Sequence, residues 1–183
     1  MTDPQAEPAP RPERATSPAS PASELADSLL AALAALGLRH LIVSPGSRSQ
    51  ALALAAADLG QTGRVRVHVR HDERQAGFLA LGLARETGVP AAVIVTSGSA
   101  VGNLLPAVME ASHSAVPLIV LSADRPEELH GIRSNQTTQQ AGLFGPFARL
   151  SHDEPAPVPG GAHEADAVRL AAAAWRSALG RAD

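Results

Sequence analysis

The chain has no cysteine and no lysine, and aromatic side chains make up only 2% of its 183 residues. Without cysteine there is neither a disulfide nor a thiolate-held metal, and a reducing cytoplasm is the natural compartment. Without lysine there can be no G-x-x-x-x-G-K-[ST] phosphate loop. All 15 basic residues are therefore arginine, the side chain that grips carboxylates and phosphates with two parallel hydrogen bonds. With so few aromatics, Ala, Leu and Val must fill the core. The net charge of -3 argues against a nucleic-acid surface. The seven histidines show no metal-ligand spacing. No run is long enough to span a bilayer, and the N-terminus lacks the basic-then-apolar pattern of a secretory signal. The sequence reads as a soluble protein of one domain, since 183 residues hold one real core but are short for two.

What is present begins with an extension. Residues 1–22 (MTDPQAEPAPRPERATSPASPA) are rich in Pro, Ala and Glu, bury too little apolar surface to order themselves, and are expected to be disordered. One domain is expected from Ser23 to residue 183. Leu25, Leu29, Leu33 and Leu36 recur at helical spacing, and Gly37 stands where a left-handed helix cap belongs. Strand, turn and helix then repeat. HLIVS (40–44) is a short apolar, β-branched strand, PGSRS (45–49) a turn, and an Ala/Leu-rich helix covers 50–58, ending near Gly60. VRVHV (65–69) alternates as a second strand, HDER turns, and QAGFLALGLA is helical until Gly88 and Pro90. AAVIVT (91–96) leads through SGSAVGN into a helix through Met109. PLIVLS (117–122) leads into a turn-rich stretch from Ala123 to about Gly145. A last helix over 163–179 puts Val168, Ala171, Ala172, Trp175 and Leu179 on one face.

Continuous apolar strands alternating with helices specify a three-layer α/β fold, a mostly parallel sheet with helices on both faces. Such sheets bind ligands beyond the carboxyl ends of their strands. Four connections leave those ends, at residues 45–49, 70–74, 97–103 and 124–140, each rich in Ser, Gly, Arg, Asp, Asn or Gln.

Common motifs are missing there. No G-x-G-x-x-G fingerprint follows any strand, and GSAVG (98–102) carries Ala100 where a nucleophile elbow needs serine. Each turn has a plain structural reading beside a functional one. SPGSRSQ (44–50) is a Pro-Gly turn into a helix capped by Ser47 or Ser49, or an anion site where backbone N–H groups join Arg48 at a helix N-terminus. In HDER, Asp72 with Gln75 resembles a capping box and Glu73 complements the helix dipole; alternatively, Glu73 is an acid held for work on a bound molecule. TSGSAVGN (96–103) is a tight strand-to-helix turn, or a place where Gly98 lets a ligand approach the backbone. ADRPEELHGIRSNQTTQQ (123–140) is an exposed loop or a binding loop.

The combination narrows these alternatives. SPGSRS, HDERQAGFLALGLA, VIVTSGSAVGNLLPAVMEA, LIVLSADRPEEL and NQTTQQ with LFG occur in this order and spacing. Together they resemble the amino-terminal domain of the 2-succinyl-5-enolpyruvyl-6-hydroxy-3-cyclohexene-1-carboxylate synthases, thiamine-diphosphate enzymes of menaquinone synthesis. The resemblance runs from about Leu25 to about Phe147. It implies the pyrimidine domain of the thiamine-diphosphate-binding fold, and a transferase that decarboxylates 2-oxoglutarate and adds the four-carbon remainder to isochorismate. It implies that Glu73 is the catalytic acid, sharing a proton with the cofactor's aminopyrimidine ring so that the ring can take the proton of the thiazolium carbon. The family's substrate contacts carry over to Ser47 and Arg48 in the first turn and to Arg125, Asn135 and Gln136 in the long loop. Both substrates are dicarboxylates, for which guanidinium forks and helix-terminal N–H groups are fitting donors. Pro45, Gly46, Ser97, Gly98 and Ser99 are implied to line the cofactor.

The resemblance also implies parts outside these residues. In the family a carboxyl-terminal domain with a Gly-Asp-Gly then Asn motif holds the diphosphate and its divalent ion, magnesium or manganese. This sequence contains no Gly-Asp-Gly, so no metal ligand is expected among its residues and the chain alone is expected to be inactive. The expected enzyme is a cytoplasmic homo-oligomer whose active site forms at a subunit interface. Its partners are small dicarboxylates, with no nucleic acid and no membrane insertion. The competing expectation is a free-standing module of the same fold that binds a dicarboxylate or a protein without catalysis. The presence of both Glu73 and Arg48 favours the enzyme, because a module freed from catalysis needs neither.

Overall fold

Ser20 and Pro21 open the first helix, α1 (Pro21–Leu36). Ser20 is extended and its hydroxyl accepts from the Ser23 N–H at 3.2 Å, while Pro21 takes the first turn, where a missing N–H costs nothing. The computed structural model describes residues 20–161 and 163–180. Of the extension expected to be disordered over 1–22, Pro21 and Ala22 are instead helical because Ser20 supplies the cap, and residues 1–19 lie outside the described residues.

Gly37 ends α1 in the left-handed region, at φ 114°. The chain then runs β1 (His40–Val43), α2 (Gln50–Gln61), β2 (Arg66–Val69), α3 (Glu73–Thr87), β3 (Ala91–Val95), α4 (Ser99–Gly102), α5 (Leu105–His113), β4 (Leu118–Ser122) and α6 (His163–Ala178). The strands form one four-stranded sheet in the order β2-β1-β3-β4, every pair parallel. The register aligns Val43 with Val69 and Ile94, and Val95 with Ser122, so the carboxyl ends form one edge.

Both faces are covered. Leu41, Val43, Ala92 and Ile94 pack with Leu30 and Leu33 of α1, Ala55 and Ala56 of α2, and Ala167 and Ala171 of α6. Ile42, Val93 and Val95 pack with Ala76, Ala80 and Ala84 of α3 and with Leu104 and Val108. β3 is buried along its whole length, as expected of the strand apolar at every position. The three-layer parallel α/β architecture read from the sequence is the one observed.

Three details differ from expectation. The helix expected to run through Met109 is broken in two, because the chain turns at Asn103–Leu104 and restarts with Pro106 in the first turn of α5. The helix expected to end near Gly60 continues to Gln61. The last helix is rotated: His163, Ala167 and Ala171 are buried while Val168 is 50% exposed. Ala167 and Ala171, one turn apart, let α6 lie close against the core, and Trp175 packs beside Gly37.

One feature lies away from the carboxyl edge. His40 Nδ1 and His68 Nε2 are 3.1 Å apart on neighbouring strands, so one neutral ring donates to the other. Burial holds both imidazoles below the ordinary histidine range, helped at His40 by Arg66 and Arg39, and at His68 by His40, Arg70 and Arg66. Below about pH 6.5 the unfolded chain therefore binds more protons than the folded one, and stability falls as pH falls through that window. The urea midpoint is expected to be lower at pH 5.5 than at pH 7.5, and His68→Gln to reduce that difference. The same pH dependence in wild type and variant would show that the pair contributes nothing to it.

Candidate active site

The strand order has a switch point. From β1 the chain crosses to β2 on one side, and from β3 to β4 on the other, so the crevice beyond the carboxyl ends of β1 and β3 is where such sheets take ligands. The turns at residues 44–49 and 96–99 border it. They touch at Gly46: a Cβ there would lie 2.4 Å from Thr96 Cβ, so only glycine permits the contact.

The long loop after β4 is folded onto these turns. Arg48 donates through Nη1 to Gln136 Oε1 at 3.0 Å and through Nη2 to the Asn135 carbonyl at 3.2 Å. Arg125 Nη2 donates to the same carbonyl at 3.0 Å. Ser97 Oγ donates to the Gln136 carbonyl at 2.8 Å, and Gln136 Nε2 returns a bond to the Ser97 carbonyl at 3.2 Å. Gln136 holds a left-handed backbone at φ 56°, which is unusual for a non-glycine residue and marks a constrained position. Gln140 completes the attachment, accepting from the Gly98 N–H at 2.6 Å and donating to the Ala123 carbonyl at 2.9 Å. Gly98 itself has φ +78°, and a Cβ there would stand 3.0 Å from Gln136 Cγ.

Ser49 occupies the cap position of α2 but does not cap it; its hydroxyl donates back to the Gly46 carbonyl at 3.1 Å. The serine-capped helix start expected as one alternative is thus not formed, and the first N–H groups of α2 have no side-chain acceptor among the described residues. Ser47 and Pro45 are exposed on this turn, and Ser99 is exposed at the start of α4. Among the described residues, the buried side-chain polar atoms without a hydrogen-bond partner are Ser44 Oγ, Thr96 Oγ1, Arg48 Nε and Arg125 Nε. All four belong to this edge. Buried donors left unsatisfied cost stability, so their concentration at one place points to a ligand rather than to the fold.

Beyond β2 stands a second group. Asp72 caps α3 by accepting from the Gln75 N–H at 2.8 Å. Glu73, next to it and half-buried, accepts from Asn103 Nδ2 at 3.1 Å through Oε2. Its Oε1 has no hydrogen-bond partner among the described residues. The two readings of HDER are therefore compatible: Asp72 starts the helix, and Glu73 is free to meet something else.

The structure thus assembles Arg48, Arg125, Asn135, Gln136 and Ser97 into one hydrogen-bonded cluster, with Gly98 tied beside it by Gln140 and Glu73 in a separate pair at the same edge. Asn103, Gln140, Ser44 and Thr96 belong to the site but are not singled out by the sequence. Asn103 lies within the turn SGSAVGN; nothing local says that its amide reaches a carboxylate 30 residues away. No three His, Cys, Asp or Glu side chains converge to hold a metal ion among the described residues. A surface hollow lined by Arg85, Gly88, Ser114 and Leu179 lies at the opposite, amino ends of the strands.

Residues 23–143 match the family described as thiamine pyrophosphate enzyme, N-terminal TPP binding domain. Proteins named 2-succinyl-5-enolpyruvyl-6-hydroxy-3-cyclohexene-1-carboxylate synthase are similar to the chain. The one from Leifsonia xyli subsp. xyli is 60% identical over 161 residues, which is 88% of this chain and 27% of that protein. The one from Kineococcus radiotolerans is 56% identical over 164 residues, 89% of this chain and 28% of that protein. The one from Mycobacterium avium is 49% identical over 151 residues, 79% of this chain and 26% of that protein. The chain spans about a quarter of the length of these curated relatives.

Proposed function

Since the chain belongs to the thiamine pyrophosphate enzymes, as their N-terminal TPP-binding domain, we propose that it is the pyrimidine-binding part of a 2-succinyl-5-enolpyruvyl-6-hydroxy-3-cyclohexene-1-carboxylate synthase. The reaction proposed is decarboxylation of 2-oxoglutarate and joining of the four-carbon remainder to isochorismate. The observation that carries this reading is the Glu73 carboxylate at the sheet's carboxyl edge, held by Asn103 through one oxygen and with the other unpartnered among the described residues.

The residues present fit half of the cofactor. A half-buried carboxylate with a spare oxygen suits a ring nitrogen with which it can share a proton. Bound thiamine diphosphate would supply a thiazolium carbon that becomes a nucleophile on losing its proton. Glu73 would hold or release a proton at Oε1, and the capped start of α3 keeps it at the edge. Pro45, Gly46, Ser97, Gly98 and Ser99 would form the wall against which the pyrimidine lies. Gly46 and Gly98 are there because a side chain at either would strike a neighbour.

Ser47, Arg48, Arg125, Asn135 and Gln136 would take the substrates. Two guanidinium groups converging on one carbonyl, each with a buried Nε–H lacking an acceptor, suit molecules with two carboxylates. The diphosphate and its magnesium or manganese ion would be held by a separate domain, which the share of the relatives' length covered supports. The assembly would be a homo-oligomer with its site between subunits, working in the cytoplasm; no described helix is long and apolar enough to cross a membrane.

The test is to join this chain to, or mix it with, the remaining domains of such an enzyme, add thiamine diphosphate, Mg²⁺ and both substrates, and follow release of carbon dioxide from 2-oxoglutarate. Release that depends on this chain is expected. A complete assembly with no decarboxylation would remove the reading.

A further inference from the structure

Glu73 and Asn103 meet because two helical segments approach closely. Gly77, one turn after Glu73 on α3, faces the α4–α5 corner; a Cβ there would stand 2.9 Å from Ala107 Cβ and 3.1 Å from Leu104 Cδ2. Any larger residue would press α3 away from that corner. Leu104 is fully buried and anchors the backbone of Asn103, whose N–H donates to the Ser99 carbonyl at 3.0 Å. Asn103 has ordinary helical dihedrals, φ -64° and ψ -18°, and is exposed. Nothing in the helix ends requires its side-chain amide, since the bonds that close α4 are made by backbone groups. The amide instead reaches across to Glu73 Oε2 at 3.1 Å.

We propose that Asn103 is a positioning residue for Glu73. By donating to one carboxylate oxygen it selects a single rotamer of a side chain that an exposed helix start would otherwise leave free, and it directs proton exchange to Oε1. The pairing is specific in its chemistry: an amide NH₂ donates without adding charge, so it fixes the carboxylate without competing for the proton. This rests on the reading of Glu73 as the acid that meets the cofactor ring.

The experiment uses the cofactor-loaded complete enzyme without substrates, in which deuterium exchange at the thiazolium carbon reports the proton relay directly. Calorimetry on the apo form measures cofactor affinity, and a thermal midpoint checks folding. Asn103→Ala is expected to slow the exchange about tenfold, the order expected for losing a hydrogen bond to a charged group. The thermal midpoint should not change, because alanine adopts the observed dihedrals freely, and cofactor affinity should shift by less than about threefold. Asn103→His restores an N–H donor of similar reach and should recover most of the loss. Wild-type exchange in Asn103→Ala, with exchange slowed in Glu73→Gln, would overturn the role of Asn103 and leave that of Glu73 standing. Wild-type exchange in Glu73→Gln would overturn the underlying reading instead. A loss in Asn103→Ala that comes with a lower thermal midpoint and no recovery in Asn103→His would also overturn the proposal, making Asn103 merely structural.

Discussion

Replacing Glu73 with glutamine is expected to lower 2-oxoglutarate decarboxylation by about two to four orders of magnitude, the usual contribution of a positioned acid or base. The substitution is close to isosteric. A glutamine oxygen can still accept from Asn103 Nδ2, so the 3.1 Å bond that places the side chain can persist. What is lost is the capacity to share a proton at the second oxygen. The cost to the fold should be small, because Asp72, not Glu73, caps α3. The missing negative charge at a helix N-terminus accounts for only about 0.3–1 kcal/mol. A steady-state assay alongside a urea titration separates the two effects: rate falls, stability stays. A variant that keeps more than about a third of wild-type turnover would remove Glu73 from the proton relay.

Arg48→Lys is expected to weaken use of at least one substrate by about 1–3 kcal/mol, roughly five- to 150-fold in apparent affinity. Lysine keeps the charge but not the planar fork. In the structure that fork serves Gln136 Oε1 and the Asn135 carbonyl with separate nitrogens, while its Nε lies buried without an acceptor. A single ammonium cannot hold both loop contacts and present a further donor in the same plane. Loss of the loop contacts should also loosen residues 135–136, so KM is expected to rise more than kcat falls. Unchanged KM values for both substrates would mean that Arg48 only fastens the loop to the first turn.

Much of this architecture is legible in the sequence because it is written in local patterns. HLIV and AAVIV are apolar at nearly every position, which only a strand covered on both faces requires, and Gly37 and Gly88 stop helices where left-handed backbone is needed. The break at Asn103–Leu104 is not legible, since Pro106 in a first turn is compatible with a new helix and, one residue earlier, with the end of an old one. The rotation of α6 is hidden for a different reason. Its sequence is alanine-rich on several faces, so Ala167 with Ala171 and Val168 with Ala172 are equally good apolar stripes until α1 selects the one that packs closer.

The site divides in the same way. Asp72 has a legible role because capping is a contact between neighbours in the chain, whereas the role expected of Glu73 comes from the family resemblance. The bond from Arg48 to Gln136 joins residues 88 apart, and no short pattern says which glutamine of NQTTQQ turns inward. Gln140 and Asn103 escape notice for that reason, although both hold groups that the sequence does single out, Gly98 and Glu73. The family resemblance supplies part of what local chemistry cannot, but it does not supply the loop's attachment through the Asn135 carbonyl, which only the folded chain displays.

By the proposed reading, this sheet edge receives the aminopyrimidine ring of thiamine diphosphate at Glu73. The decisive measurement is a crystal structure of the complete enzyme with the cofactor bound. A ring nitrogen is expected within about 2.6–3.2 Å of Glu73 Oε1, with Asn103 still bonded to Oε2. A bound cofactor whose ring lies out of hydrogen-bond reach of Glu73 would contradict that reading.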